Sequence, residues 1–452
     1  MGHPVHRLRR GAAPVSQRED IDRLAAGRDR ALDAARAVAM LAVAVGHWLV
    51  AEPITAADGL MVRDVLADLP AAGHLTWVFQ VIPLFMVAGF AAGIPSWHRH
   101  REAGGAAPAW VARRAWRLLW PTLPVVVFWT IITQVGDHVL GMDDSLLAAT
   151  RGIGLVLWFL AIYVLLIALL PWLDALAERY GNLRVMLAFA VPALIIDVVA
   201  ARLGYVSSTE PSWVWVNYLL WWAPVGLAGR WWPLTSSRQV RRIALLVSAV
   251  AFATLVVVTA VGWYPVPMVG VTGQARSNSL PPTLALGLLA ATQVGLLFSA
   301  SQWLRRVLES PRAYVPVAVA GSRAMTIYLW HLVGPVVLTL VVVLPGVWPA
   351  PPVGSGGWWA ARVAWVAVNA VIITPVVILM GRFEQPPAGL AVTASALRTA
   401  GAVILCLVGW AAVAITGVHV PAWPGAVPWL QLVALAAAAA LLLRGRRADA
   451  TD

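Results

Sequence analysis

Residues 30–50 read Arg30-Ala-Leu-Asp33-Ala-Ala-Arg36-Ala-Val-Ala-Met40-Leu-Ala-Val-Ala-Val-Gly46-His47-Trp48-Leu-Val50. From Ala37 to Val50 the run is apolar except for His47, and Arg36 stands directly before it. Ionisable groups are expensive inside a bilayer, so both residues are functional candidates. At ~1.5 Å of rise per residue, the step from Arg36 to His47 spans roughly 16 Å of helix. That puts Arg36 near one membrane face and His47 past mid-depth, and both can look into one interior seam. A plainer reading stays open, in which Arg36 snorkels to headgroups and His47 bonds a neighbouring helix.

The rest of the chain agrees that this run crosses a membrane. A sequence of 452 residues that is 60% apolar and 12% charged, with mean hydropathy +0.77, has too little polar surface for a water-soluble globule. All basic residues are Arg, and the net charge of +12 speaks of topology rather than of nucleic acid. The single cysteine, Cys406, excludes an intramolecular disulfide and a Cys-based metal cage. Residues 1–30, rich in Arg and without an apolar core, read as a disordered cytoplasmic tail, and the apolar run after them as an uncleaved first span. Residues 444–452 read as a second cytoplasmic tail.

Runs long enough to cross ~30 Å of hydrocarbon recur near 32–51, 77–96, 116–135, 153–172, 185–201, 212–229 and 243–263. Further runs lie near 281–300, 324–344, 359–380, 399–418 and 427–443, so the fold class is an all-α polytopic membrane protein. With both termini in the cytoplasm, the inner segments collect Arg99, Arg101, Arg113, Arg114, Arg117, Arg230, Arg238, Arg241, Arg305, Arg306 and Arg382, among others. The outer loops carry only Arg63, Arg151, Arg202, Arg276 and Arg362, as the positive-inside rule requires. Residues 101–109 and 349–357 read as loops from their Gly and Pro content.

Several polar residues invite chemistry. Arg114 and Arg117, spaced i, i+3 at the start of the third helix beside Arg113, put two guanidinium forks on one face, where polyphosphate would pair bidentately and a helix N-terminus would add positive charge. An ordinary positive-inside cluster holding anionic lipid explains them equally. Thr326-Ile-Tyr328-Leu-Trp330-His331 places a second histidine in a span, for which packing among aromatics is an adequate role. Trp158-Phe159-Leu160 and Tyr163 open the fourth span, and Pro83-Leu84-Phe85 to Gly89-Phe90 runs through the second, where Gly and Ala would let helices approach closely. Asp197 and Asn217 are read either as transport residues or as helix adhesion. His98 and His100, read as flanking Arg99 in a loop, are too few for a metal site. There is no phosphate loop ending in Gly-Lys-Ser/Thr, no Gly-x-Ser-x-Gly elbow and no His-x-x-x-Asp pairing.

In this order the motifs resemble the acyltransferase-3 family of integral membrane acyltransferases. The match runs from Arg30-Ala-Leu-Asp33-Ala-Ala-Arg36 and Gly46-His47-Trp48, through Pro83-Leu84-Phe85, Arg114-x-x-Arg117 and Trp158-Phe159-Leu160, to Tyr328-Leu329-Trp330-His331 and Gly381-Arg-Phe-Glu384-Gln-Pro386. Ala34 and Ala37 stand where the family commonly has Gly, and Ala88 where it has Ser. The resemblance implies a ten-helix core over residues 31–385, with two additional transmembrane helices over 386–443. It further implies a membrane O-acyltransferase that takes an acyl, usually acetyl, group from cytoplasmic acyl-CoA, with no tightly bound cofactor and no metal. The acceptor would be a hydroxyl of a carbohydrate, a lipid or a glycosylated metabolite, acylated on the far side of a bacterial cytoplasmic membrane.

Under that resemblance Arg114 and Arg117, with Arg113 beside them, would hold the CoA phosphates. Arg36 would meet a phosphate or the thioester oxygen, and His47 would be the general base, since imidazole titrates near neutral pH. Asp33 would orient Arg36, while Trp158, Tyr328 and His331 would support the site. The rival is a polytopic transporter or flippase using Asp197, Asn217 and Gln293; a structural or sensory membrane subunit is a third reading. Partners in the first reading are acyl-CoA, the acceptor and membrane lipids, and no nucleic acid.

Overall fold

The computed structural model describes residues 29–56, 59–142, 151–204, 212–387 and 392–443. Of the expected tails over 1–30 and 444–452, residues 1–28 and 444–452 lie outside them, whereas Asp29 and Arg30 cap and open the first helix. Helix α1 (Arg30–Val50) starts where the Asp29 carboxylate accepts from the Ala31 and Leu32 amides. The same carboxylate accepts from Trp232 Nε1 and Arg305, pinning this end of α1 to two other segments. The helix stops before Glu52-Pro53, because a residue preceding proline is pushed out of the helical region. The chain turns instead into an antiparallel hairpin, β1 (Ala51–Ala56) and β2 (Gly59–Asp64), in the register Ala51 with Asp64. That small sheet is unforeseen in the all-α reading.

The next long helices are α2 (Ile82–Glu102), α3 (Ala107–His138), α4 (Leu157–Tyr180), α5 (Asn182–Arg202), a short α6 (Asn217–Leu227) and α7 (Arg238–Ala260). Beyond them come α8 (Leu284–Val307), α9 (Pro311–Ser322), α10 (Ala324–Trp330), α11 (Val333–Leu338), α12 (Gly356–Met380), α13 (Ala396–Thr416) and α14 (Trp429–Leu442). Among the described residues ten spans are long and apolar enough to cross a bilayer, with α10 and α11 counted in one of them. Leu187, Ile195, Val250, Val371 and Ile378 are apolar yet exposed, as lipid-facing side chains must be. α1 is central, packing against α2, α8, α9, α10 and α12.

Four sequence expectations change. The run 212–229 is not one long helix but α6 between two 3-10 segments, Ser212–Val216 and Ala228–Ser236. The last run forms only the 14-residue α14. The expected loop at 101–109 is a short turn, since α2 continues to Glu102 and α3 begins at Ala107 with Pro108 in its first turn, where a missing N–H costs nothing. The ninth run is broken at His331 and Leu332. The pair α13–α14 packs on α4 and α3, with Trp410 Nε1 donating to Thr122 Oγ1 and His419 3.0 Å from Asp137.

At the end of the bundle that carries the hairpin, the segment 261–283 folds over the helices. Asp197 holds it by accepting from Tyr264 Oη at 2.7 Å, Arg276 Nη2 at 2.6 Å and the Leu284 amide at 2.9 Å. Burial, with the Asp197 charge beside it, holds the Tyr264 phenol well above its ordinary range, so it stays a donor. Asn217 donates to the carbonyls of Ala193 and Pro282, and Gln293 to those of Trp77 and Gln80. All three candidates for a transport path are thus tied into interhelical bonds, which favours adhesion.

Candidate functional site

The break in the ninth span arises from Pro335. In a continuous helix the Pro335 nitrogen would donate to the His331 carbonyl four residues earlier, and proline has no hydrogen there. The freed carbonyl accepts instead from Trp48 Nε1 at 2.9 Å, which docks the break onto the last turn of α1. His47, the neighbour of Trp48, then lies with its Nδ1 2.9 Å from Nε2 of His331. Both histidines are candidates from sequence; their direct contact joins residues 284 positions apart.

The hydrogen-bond pattern assigns the tautomers. His331 Nδ1 is 2.7 Å from the Tyr328 carbonyl, which can only accept, so Nδ1 carries the hydrogen. In the neutral ring Nε2 is then an acceptor, and His47 must donate to it from Nδ1. His47 is left with a lone pair on Nε2. His331 is fully buried, whereas His47 lines a cavity of about 440 Å³ at the hairpin end. Gly46, Phe85, Trp158, Phe159 and Tyr328 also line it, and the Tyr328 hydroxyl is bonded to the Val156 carbonyl.

Helix α10 is anchored from a distance. The Glu384 carboxylate accepts from the amides of Met325 and Thr326, at 3.0 and 2.9 Å, and from the Thr326 hydroxyl, satisfying donors that a helix start leaves open. Glu384 thereby sets the depth of Tyr328 and His331. In the sequence Glu384 belongs to the closing motif, and nothing local there announces this anchoring role.

The arginines gather at the opposite end of α1. Arg36 donates to the Ala88 carbonyl at 2.7 Å and lies 3.7 Å from Asp33, which also accepts from the Tyr314 hydroxyl at 3.1 Å. Arg114 stacks on Trp110, 4.6 Å from its ring centre, and Arg36, Arg113, Arg117 and Tyr163 act on its charge. Arg117 donates to Gln385 at 3.1 Å, and Arg113 turns aside to the His100 ring. Among the described residues no carboxylate pairs with Arg113, Arg114 or Arg117, so the cluster is an uncompensated cationic surface. One expectation is corrected. α3 begins at Ala107, so Arg114 and Arg117 lie beyond the first turn, where the helix-end charge has faded.

The two groups are distinct places. Neither Arg36 nor Arg114 nor Arg117 lines the cavity under His47. Between them runs an aromatic ladder on α4: Phe159 stacks on Tyr163 with ring centres 5.5 Å apart, and Tyr163 packs where a Cβ on Gly89 would stand, 2.5 Å from its hydroxyl. Gly89 is thus required for the close approach of α2 and α4.

His98 and His100 belong to the last turns of α2 rather than to a loop. His98 meets Asp174 at 2.7 Å and Glu178 at 3.5 Å, a set with metal-type ligands. Arg230 pairs with Asp174 and Arg101 with Glu178, so two guanidinium groups already balance these carboxylates. The cluster is an ion-pair network joining α2 to α4.

The acyltransferase-3 family model, described as an acyltransferase domain, matches residues 29–382. No curated protein and no solved structure matches the chain. The matched range opens at the residue that caps α1 and closes just before Glu384, and so takes in both histidines and the arginine cluster. With its apolar spans it makes the chain an integral membrane protein of the acyltransferase-3 family, an enzyme that transfers acyl groups other than aminoacyl groups.

Proposed function

We propose that the protein moves an acyl group, acetyl in the simplest case, from a CoA thioester held at the arginine end to a hydroxyl bound in the cavity under His47. The observation that carries this reading is the free Nε2 of a tautomer-locked histidine facing a cavity in a membrane acyltransferase. Nε2 takes the proton of the acceptor hydroxyl as its oxygen attacks the thioester carbonyl. The carbon–sulfur bond then breaks, and the CoA thiolate recovers the proton from His47. Charge formed on His47 is shared through its Nδ1–H with His331, which the Tyr328 carbonyl holds in register. Arg114 and Arg117 grip phosphate, and Asp33 positions Arg36. Arg36, roughly 16 Å down the helix from His47, belongs with the donor rather than with the oxyanion. The test is purified protein in nanodiscs, scored for acceptor-dependent CoA release and ester formation; substrate movement without thioester consumption would instead establish the transporter reading.

His331 becomes a positioning residue under this mechanism. His331→Gln, whose amide can still bond His47 but cannot fix its tautomer in the same way, is expected to lower kcat about 10²-fold with KM for acyl-CoA unchanged. Equal turnover in folded His331→Gln would reduce the residue to packing.

Sidedness comes from the Arg census. We place the arginine end in the cytoplasm of a bacterial cell and the hairpin end outside, so an extended pantetheine arm reaches toward His47 while CoA stays inside. In a Cys406→Ser background, an impermeant thiol reagent added outside is expected to label Gln274→Cys and not Ser237→Cys or Ala106→Cys. Outside labelling of Ala106→Cys would put the donor site on the wrong face.

A further inference from the structure

The polar groups lining the cavity are mostly committed to the protein itself. Asp64 accepts from the amides of Leu66 and Thr272, Thr76 donates to the Gly73 carbonyl and accepts from the Met268 amide, and Gln80 donates to the Met268 carbonyl. The Tyr328 hydroxyl is taken by Val156, and Arg63 lies between Glu52 and Asp68. His47, whose Nε2 has no hydrogen-bond partner among the described residues, lines the cavity among walls that are otherwise chiefly aliphatic and aromatic. Only Trp158, Trp359 and Thr272 add side-chain donors there without a partner among the described residues, so an acceptor bearing many hydroxyls would have to bury most of them unbonded, at roughly tenfold in affinity for each.

The rim points the same way. Val62 on β2, Leu75 and Trp359 line the cavity and are 52%, 44% and 40% exposed, and Met61 and Val78 beside them are 52% and 66% exposed. Apolar side chains left uncovered at the end of a membrane bundle are stable against lipid and costly against water. The mouth of the cavity is therefore suited to a molecule that partitions into the bilayer.

Resting on the acyl-transfer reading, we infer that the acceptor is a largely apolar, membrane-partitioned alcohol that presents one hydroxyl to His47, and not a free or polymeric sugar. The expected chemistry is ester formation at that hydroxyl with release of CoA, and the apolar body stays against Phe79, Phe85 and Phe159.

The experiment uses the full chain in nanodiscs with acetyl-CoA, and compares dodecan-1-ol with methyl α-glucoside and cellobiose. Dodecyl acetate is expected, with kcat/KM at least tenfold above that of either sugar. Leu75→Asp is expected to lower kcat/KM for dodecanol at least tenfold while KM for acetyl-CoA stays put. A diazirine-bearing dodecanol is expected to label wild-type peptides spanning 43–50, 75–85 or 155–159, in competition with dodecanol, a readout that needs no variant to fold. Sugars acetylated as well as dodecanol, or no acetylation of dodecanol, would overturn the acceptor class. The acyl-transfer reading itself falls only if wild-type protein releases no more CoA than protein-free nanodiscs with every acceptor and with water.

Discussion

His47→Ala is expected to lower acyl transfer about 10²- to 10⁴-fold, the usual cost of losing a general base. The loss should appear in kcat and leave acyl-CoA binding alone, because Arg36, whose charge acts on Arg114 of the arginine cluster, sits roughly 16 Å away along α1. Truncation also leaves His331 Nε2 buried without a donor, at about 1–3 kcal/mol of stability, so a second variant is needed. His47→Gln retains an amide able to donate to His331 and lacks a basic nitrogen. It should fold like wild type, by thermal unfolding in the same nanodiscs, and be as inactive as the alanine variant. Turnover above about a tenth of wild type in His47→Gln would remove the residue from the proton path.

Sequence carries the membrane spans well, because hydropathy over some twenty residues is a local property that needs no partner. It also singles out His47, Arg36, Arg114 and Arg117 as candidates, because ionisable groups are conspicuous for their cost in such a chain. Pairing is the part that stays hidden. The contact of His47 with His331 depends on a helix break, on a Trp48 bond that the break permits, and on a cap supplied by Glu384 more than fifty residues away. One local signal does exist: Pro335 stands four residues after His331, which frees that carbonyl and argues against a plain packing histidine. The short hairpin is illegible for a different reason, since Glu52-Pro53 ends α1 without specifying the element that comes after it. The start of α3 lies earlier than hydropathy suggests because Gly104-Gly105 masks a helix start among alanines. The aims of Asp197, Asn217 and Gln293 are open in sequence, since adhesion and transport use the same residue types; only their partners separate the two.

Removing the cationic surface should produce the second large effect. Arg114→Ala with Arg117→Ala is expected to raise KM for acyl-CoA about 10²-fold or more, from charge-assisted bonds each worth about 1.5–3 kcal/mol. Little stability should be lost: Arg117 is exposed, and among the described residues it bonds only Gln385 and neither arginine pairs with a carboxylate. If anything, relief of repulsion among Arg36, Arg113, Arg114 and Arg117 offsets the lost stacking of Arg114 on Trp110. Lysine at both positions keeps the charge and loses the planar fork, so it should restore only part of the affinity. The effect should also weaken with added salt in wild type more than in the double alanine variant, because it rests on exposed charge. Acyl-pantetheine, which carries the thioester without the nucleotide phosphates, separates the roles: its KM should be poor in wild type and unchanged by the double substitution. If the double alanine variant binds acyl-CoA as tightly as wild type, the pair marks topology only, and the donor phosphates are held elsewhere.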